Sequence, residues 1–372
     1  MRIAPKEEDI MPKKVKILVV GLGNMGLSHA EAYRQIDGFE IVGIMSRTIK
    51  SKQLPQGYDI YPLYEDLDEA LKQTRPDAVS INSWPNTHAS YAIKAIEAGC
   101  HVFMEKPIAT TIEDAERVVA AAKARERKLV LGYILRVHPS WIRFIEIGTS
   151  LGKPLVMRLN LNQQSSGPAW YWHKNLIDSL IPIVDCGVHY VDVMCQLTGA
   201  KPVRVHGIGA KLWADAAQDN YGHLHVTFDD GSVGWYEAGW GPMMSETAYF
   251  VKDVIGPRGS VSIVAAQEHS EVAEFDATSG SADLDRHTKT DTIRIHHSAV
   301  DENRNFLKQD AVLHMDDEPG HHELCKREQE YFLRSIHEDL DLSQSMAAAV
   351  DSLRIVLAAE QSIKEGRAVD LM

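Results

Sequence analysis

The sequence predicts a two-part α/β protein, with a doubly wound parallel sheet first and an α+β domain on a mostly antiparallel sheet after it. Three observations carry this. Short apolar runs alternate with helical stretches from Val15 to Leu131, as in βαβ units whose parallel strands are buried on both faces. A glycine-rich turn, Gly21-Leu22-Gly23-Asn24-Met25-Gly26, directly follows the first run. Beyond Pro139 several connections shorten to turns such as Asp229-Asp230-Gly231 and Pro257-Arg258-Gly259, which suit antiparallel strands.

The elements follow in order. Val15–Val20 reads as the first strand, 25–35 as a helix and 40–45 as the second strand. Next come a strand at 77–81, a helix at 88–98 closed by Gly99, and a strand at His101–Met104. Thr110 or Thr111 caps a helix running to Arg125, with Glu113 and Asp114 in its first turn and Arg125, Arg127 and Lys128 near its end, an order that complements the helix dipole. Leu129–Leu131 is the last strand of this part. In the second part, 155–163, 203–211, 223–228, 232–236, 248–255 and 260–264 are strand-like. Residues 183–197 read as a helix, 266–290 as an exposed loop or hairpin, and 322–337 and 345–365 as closing helices, the last ended by Gly366. The expected organisation is a tail at 1–13, a dinucleotide-binding domain at 14–138 and a substrate and oligomerisation domain at 139–372.

Composition narrows the partners. The 372 residues are 44% hydrophobic and 24% charged, an ordinary globular balance. The 39 basic residues against 52 acidic ones leave a net charge of −13, which disfavours nucleic acid and anionic membranes. Cys100, Cys186, Cys195 and Cys325 lack CxxC spacing and lie in or after apolar stretches, which suits reduced thiols rather than a disulfide framework. The charged start Lys6-Glu7-Glu8-Asp9 offers no signal-peptide core, and no run nears the ~18 apolar residues that span a bilayer. A cytoplasmic protein is expected.

The turn at 21–26 fits G-x-G-x-x-G between a strand and a helix. Gly21 permits the tight turn, Gly23 the close approach of a pyrophosphate, and Gly26 the packing of helix on strand, while the Asn24 and Met25 amides open the helix toward the anion. NAD sites usually carry an acid about 20 residues on, at the ribose 2′-hydroxyl. Here the second strand ends Met45-Ser46-Arg47-Thr48, without one. Hydroxyls and a guanidinium suit the 2′-phosphate of NADP, although Arg47 placed over the adenine of NAD fits equally.

Three more segments matter: Ser83-Trp84-Pro85-Asn86-Thr87-His88, Met104-Glu105-Lys106-Pro107 and Asp185-Cys186-Gly187-Val188-His189. With the glycine turn, and with Gly132-Tyr133 and the closing helix, they resemble the glucose–fructose oxidoreductase/inositol dehydrogenase (Gfo/Idh/MocA) family over most of the chain. The resemblance implies a Rossmann-type domain joined to a large, mostly antiparallel sheet, one NAD or NADP per subunit, and a sugar or polyol bound between the domains. Ser83, Pro85, Asn86, His88, Glu105 and Lys106 then join the cofactor site, and the Lys106–Pro107 bond becomes a candidate cis peptide. It also implies homodimers or homotetramers formed through the open sheet. Beside dehydrogenases the family includes glycosidases that oxidise a ring hydroxyl transiently, and a branch of non-catalytic sensors.

The chemistry reads alongside. Oxidising an alcohol needs a proton acceptor at the hydroxyl while hydride leaves its carbon. His189 suits the first task, Asp185 four residues earlier would orient it, and Lys106 can stabilise a developing alkoxide. Tyr133 is a further acid/base candidate. Singly, Asp185 could merely cap its helix, His189 fill a core and Lys106 be a surface lysine; in the family's order they read as catalytic. Tyr133 and Arg136 follow the last strand at its ligand-bearing edge. Trp172, His173 and Lys174, in a loop beside Trp170 and Tyr171, are candidates for a sugar face and its hydroxyls, with core packing as the competing role. No Cys/His set has zinc spacing, so no required metal is expected.

Overall fold

The computed structural model describes residues 13–51, 53–165, 167–244, 251–264, 290, 292–316 and 318–371, with backbone alone for 167–169, 171 and 172. The first sheet is built from β1 (Val15–Val20), α1 (Asn24–Gln35), β2 (Phe39–Met45), β3 (Leu63–Tyr64), α2 (Leu67–Thr74), β4 (Ala78–Ile81), α3 (Pro85–Glu97), β5 (His101–Met104), α4 (Ile112–Ala124) and β6 (Leu129–Leu131). Its six parallel strands run in the order β3-β2-β1-β4-β5-β6. The chain reverses its winding between β1 and β4, and at such a switch point the strand ends open a crevice for ligands. Thr111 caps α4 through its hydroxyl, which accepts from the Asp114 amide. β3 is too short to show any periodicity, and the sequence reading passed over it and α2.

The second part comprises α5 (Pro139–Ser150), β7 (Val156–Gln164), α6 (Gly167–Ile177), α7 (Pro182–Asp185), α8 (Gly187–Thr198), β8 (Pro202–Ala210), β9 (Tyr221–Phe228), β10 (Val233–Gly241), β11 (Lys252–Gly256), β12 (Gly259–Val264), β13 (Thr292–His297), β14 (Ala311–His314), α9 (His321–His337), α10 (Ser343–Glu365) and β15 (Val369–Asp370). The described strands form one sheet in the order β14-β13-β12-β11-β7-β10-β9-β8-β15, antiparallel except where β7 lies parallel to β10. One face carries α7, α8 and α10 and is buried; the alternate residues Val156, Ile208, Val233 and Ile255 are exposed on the other. Helix α9 packs on α1, and α10 reaches α4 and β6, so the closing helices clamp the two sheets together.

Several expectations need correction. Residues 170–174 lie in helix α6, not in a loop: Trp170, His173, Leu176 and Ile177 recur at helical spacing and are all buried, a pattern that aromatic and imidazole side chains conceal from a search for aliphatic residues. The helix expected over 183–197 is interrupted at Cys186, so Asp185 closes α7 and His189 stands in the first turn of α8. Helix α5 starts at Pro139, where only a change of character was read. Of the loop expected at 266–290, only Thr290 lies among the described residues, and it is buried.

The glycine turn shows why its positions are restricted. Gly21 has φ of +86°, and a Cβ there would lie 2.6 Å from the Asn82 carbonyl carbon. A Cβ on Gly26 would fall 2.0 Å from the Gly21 carbonyl oxygen. Gly26→Ala must therefore push α1 off β1; it should cost about 1–3 kcal/mol, read as a lower urea midpoint with unchanged slope.

Candidate active site and cofactor cleft

A cleft of about 350 Å³ opens at the ends of β1, β2, β4 and β5. Gly21, Gly23, Asn24 and Met25 form its floor, Ser46, Arg47 and Thr48 one end, Ser83, Trp84 and Pro85 a wall, and Glu105, Lys106 and Asp185 the far end. The lining fits a dinucleotide. Gly23 is the N-cap of α1 and has no side chain to occupy the first turn's amides, that turn carries no acid, and a Cβ on Gly23 would meet nothing within 4 Å. Free amides, a positive dipole end and open space together make an anion cradle. Arg47 is exposed, and Glu65, just after β3, is paired with Lys50 at 3.0 Å.

Three expected cofactor residues lie elsewhere. Gly26 packs against the turn, as its close approach requires, and does not line the cleft. Asn86 is exposed in the first turn of α3, outside the lining. His88 is buried, its Nδ1 2.7 Å from the Pro107 carbonyl and its Nε2 2.9 Å from the Ser83 carbonyl, so it staples two cleft loops from beneath. The sequence reading in turn did not nominate Trp84, Tyr91, Asn82 or Leu176, which do line the cleft. Trp84 keeps 47% of its surface exposed beside Pro85, and a tryptophan spared burial next to a helix start was the available signal.

At the far end the Lys106–Pro107 peptide is cis. Lys106 Nζ donates to Asp185 Oδ2 at 3.0 Å and to the Asp185 carbonyl at 3.2 Å. Burial pulls the ammonium's pKa down, but Asp185 and the neighbouring acidic groups outweigh it and hold Lys106 above the usual lysine range. His189 follows on α8 with its Nδ1 buried and without a hydrogen-bond partner. Burial, then the Lys106 charge, pushes its pKa down to about 3, so the imidazole is neutral. His173 stacks on Trp240 with centroids 4.6 Å apart, and burial lowers it to about 4. Lys106 and Asp185 are in contact, and His189 and His173 lie within electrostatic reach of both, although neither histidine is among the residues that line the cleft.

Tyr133 and Arg136 do not join them as expected. The Tyr133 hydroxyl is buried and hydrogen-bonded at 2.8 Å to Ser352 on α10, and only its ring edge meets His189. Arg136 is closed in a two-pronged pair with Asp192, at 2.8 Å from Nε and 2.5 Å from Nη2. Both line a separate cavity of about 190 Å³ beside β6. Burial against an oppositely charged neighbour claimed a guanidinium that sequence position alone left free. Lys174 is half-buried on α6 outside the cleft lining, and the Trp172 side chain lies outside the described residues. The donor atoms of His29, Cys325 and Glu328 lie within 4.8 Å of one another, yet both His29 nitrogens already have hydrogen-bond partners.

Two outcomes follow from this geometry. Arg47→Ala should weaken NADP by about tenfold, since a hydrogen bond to a charged group contributes about 1.5–3 kcal/mol, and leave NAD nearly unchanged; equal losses in fluorescence titrations would place Arg47 over the adenine instead. Tyr133→Phe should keep turnover within about threefold and cost stability by about 1 kcal/mol, because the lost hydroxyl bonds Ser352 rather than a reacting atom.

Comparison with known proteins agrees with the architecture. Residues 15–133 match the model of an oxidoreductase family with an NAD-binding Rossmann fold, and residues 148–262 match the C-terminal domain model of the same family. Over 291 residues the chain is 28% identical to scyllo-inositol 2-dehydrogenase (NAD(+)) of Bacillus subtilis, covering 74% of this chain and 80% of that protein. Over 278 residues it is 24% identical to D-glucoside 3-dehydrogenase of Escherichia coli, covering 69% and 79%. UDP-N-acetylglucosamine 3-dehydrogenase of Acidithiobacillus ferrooxidans is 27% identical over 215 residues, a match spanning 58% of this chain and 64% of that protein. The crystal structure of scyllo-inositol dehydrogenase from Lactobacillus casei with NAD(H) and scyllo-inositol superposes with a TM-score of 0.72 at 19% identity, over 96% and 99% of the two chains. The glycine turn, the cis Lys106–Pro107 end of β5 and the Asp185–His189 stretch therefore sit in a member of the Gfo/Idh/MocA oxidoreductases, NAD(P)-dependent enzymes, and the chain belongs to that family.

Proposed function

We propose that this protein is an NAD(P)-dependent dehydrogenase of an inositol-type polyol or a sugar, acting on a ring CH–OH. The observation that carries the reading is the Lys106–Asp185 pair at the nicotinamide end of the cleft, with neutral His189 beside it. The cofactor, held by the α1 amides and the Ser46–Arg47 end, supplies the hydride acceptor. The residues handle the proton. His189 accepts it from the substrate hydroxyl, Lys106 donates a hydrogen bond to the oxygen as negative charge develops, and Asp185 holds the ammonium in place. Leu176 and the buried face of α6 shield this end from water. The relatives named as inositol, glucoside and nucleotide-sugar dehydrogenases support a polyhydroxylated ring as substrate. We place the division between cofactor and substrate domains near residue 138, where α5 begins.

A second copy of the chain covers the open face of the large sheet. Val156 lies opposite Val233 on one side and Ile255 on the other, and all three are exposed, an apolar row that suits an isologous contact. Light scattering should give a dimer or tetramer, and Val156→Glu with Val233→Lys should yield monomer; a wild-type monomer sinks this part.

The activity test is a panel of inositols, sugars, sugar acids and aryl glycosides, followed by nicotinamide absorbance and aglycone release together. Stoichiometric cofactor reduction without cleavage is expected. Cleavage that requires cofactor yet never accumulates its reduced form would establish a glycosidase instead. Lys106→Ala and His189→Ala should each lower kcat by about 10²–10⁴ with cofactor binding retained, and near-full turnover in both would refute the assignment.

A further inference from the structure

A chain of four side chains runs behind the cleft from the C-terminal part into the end of β5. His29 on α1 places Nε2 2.7 Å from Glu105 Oε1. Gln329 on α9 places Nε2 2.9 Å from His29 Nδ1, and its Oε1 accepts from the Tyr33 hydroxyl at 2.6 Å. The other Glu105 oxygen accepts the Lys106 backbone N–H at 3.2 Å. All the side chains in this chain are buried.

Proton placement follows from Glu105 outward. A carboxylate oxygen at 2.7 Å demands a proton on His29 Nε2, because two lone pairs would otherwise face each other. A neutral imidazole then has a bare Nδ1, which requires a donor, and the Gln329 amide nitrogen is that donor. With its nitrogen so committed, Gln329 turns its oxygen to the Tyr33 proton. In this placement every donor meets an acceptor.

We propose that His29 and Gln329 are positioning residues: through this chain they keep Glu105 an oriented carboxylate, which fixes the Lys106 backbone and so the reach of its ammonium toward Asp185. The proposal deepens the dehydrogenase reading and rests on it for the role of Lys106. Buried Glu105 would otherwise take up a proton; the hydrogen bond from His29, with the charge of Lys106, overcomes that and holds its pKa below the usual range. A Cβ on Gly132 would lie 3.2 Å from the Glu105 carboxylate, so the glycine leaves the carboxylate the space it occupies. The groups facing His29 are Tyr33 on its own helix, Glu105 from β5, and Cys325 and Glu328 from α9; those facing Glu105 include Lys106 and His189. Burial, and then Glu105, raises the Glu328 pKa, which favours its neutral form beside His29.

The sign of the pH effect is fixed by Glu105. Activity that needs its carboxylate is lost as pH falls through its pKa, and removing the His29 donor lets burial move that loss to higher pH. Turnover is measured against pH for the wild type, His29→Leu and His29→Gln, the last keeping an amide N–H near the position of Nε2. His29→Leu should lower kcat/KM at pH 6 relative to pH 9 by about tenfold more than in the wild type, and His29→Gln should restore most of the ratio. Identical pH profiles for the Leu and Gln variants would overturn the proposal. A second measurement needs neither a substrate nor a variant that turns over: ¹⁵N spectra of histidine-labelled protein, with His29 assigned by its absence from the His29→Gln spectrum. A protonated Nε2 with a bare Nδ1 is expected, and Gln329→Met should broaden or mix that tautomer. A protonated Nδ1 in the wild type, or no change in Gln329→Met, overturns the proposal. A wild type that oxidises no polyol or sugar defeats the dehydrogenase reading alone, because the spectra still decide the tautomer lock.

Discussion

The ion pair between Lys106 and Asp185 is the contact on which the functional arrangement turns. One partner stands at the end of β5 in the parallel sheet, the other at the last residue of α7, against the large antiparallel sheet. Neither charge is well solvated, with side-chain exposures of 19% and 8%, so separating them would leave an uncompensated charge in a low-dielectric cleft. A buried pair of this kind contributes little net stability, but it fixes the relative position of the two parts wherever it must stay closed. The same pair holds the ammonium in its charged form at the end of the cleft.

The surroundings serve that arrangement from three directions. From the parallel sheet, His88 ties the Ser83 and Pro107 carbonyls and so couples the α3 loop to the turn after Lys106. From the large sheet, Trp240 donates to Gln163 at 2.6 Å and stacks on His173, which seats α6 over the cleft end. From the closing helices, Gln329 reaches His29, and Ser352 takes the Tyr133 hydroxyl. Polar side chains that looked like substrate contacts in the sequence are in several cases the joints between layers. Tyr133 and Arg136 are the clearest: they follow β6 at a sheet edge where ligands collect, and each is claimed by a helix packed from behind.

At the other end of the cleft the backbone is left open. The α1 N-terminus is free of acids, Gly23 leaves space and Gly21 takes a backbone conformation with φ of +86° that favours glycine. Beyond β2 the lining is Ser46, Arg47 and Thr48, short hydroxyls and one long exposed cation.

Local pattern determined a great deal by itself. The strand and helix periods from Val15 to Leu131, the glycine turn, the Thr111 cap and the run Glu105-Lys106-Pro107 each state their role within a few neighbouring residues, because backbone conformation and apolar burial in a parallel strand are short-range demands. The pairing of Lys106 with Asp185 was anticipated only as a common destination, from motifs 79 positions apart in the chain. What sequence could not decide was which polar side chains remain free once the layers close. His88, Tyr133 and Arg136 each lost their freedom to a partner: carbonyls for His88, Ser352 for Tyr133, Asp192 for Arg136, the last two far away in sequence. Gln329 gained its role from His29, 300 residues earlier. Helix α6 was hidden because Trp170 and His173, not aliphatic residues, begin its buried face before Leu176 and Ile177. A buried donor or acceptor must find a partner wherever the packing brings one, and only the tertiary structure brings α9 and α10 to the back of the cleft.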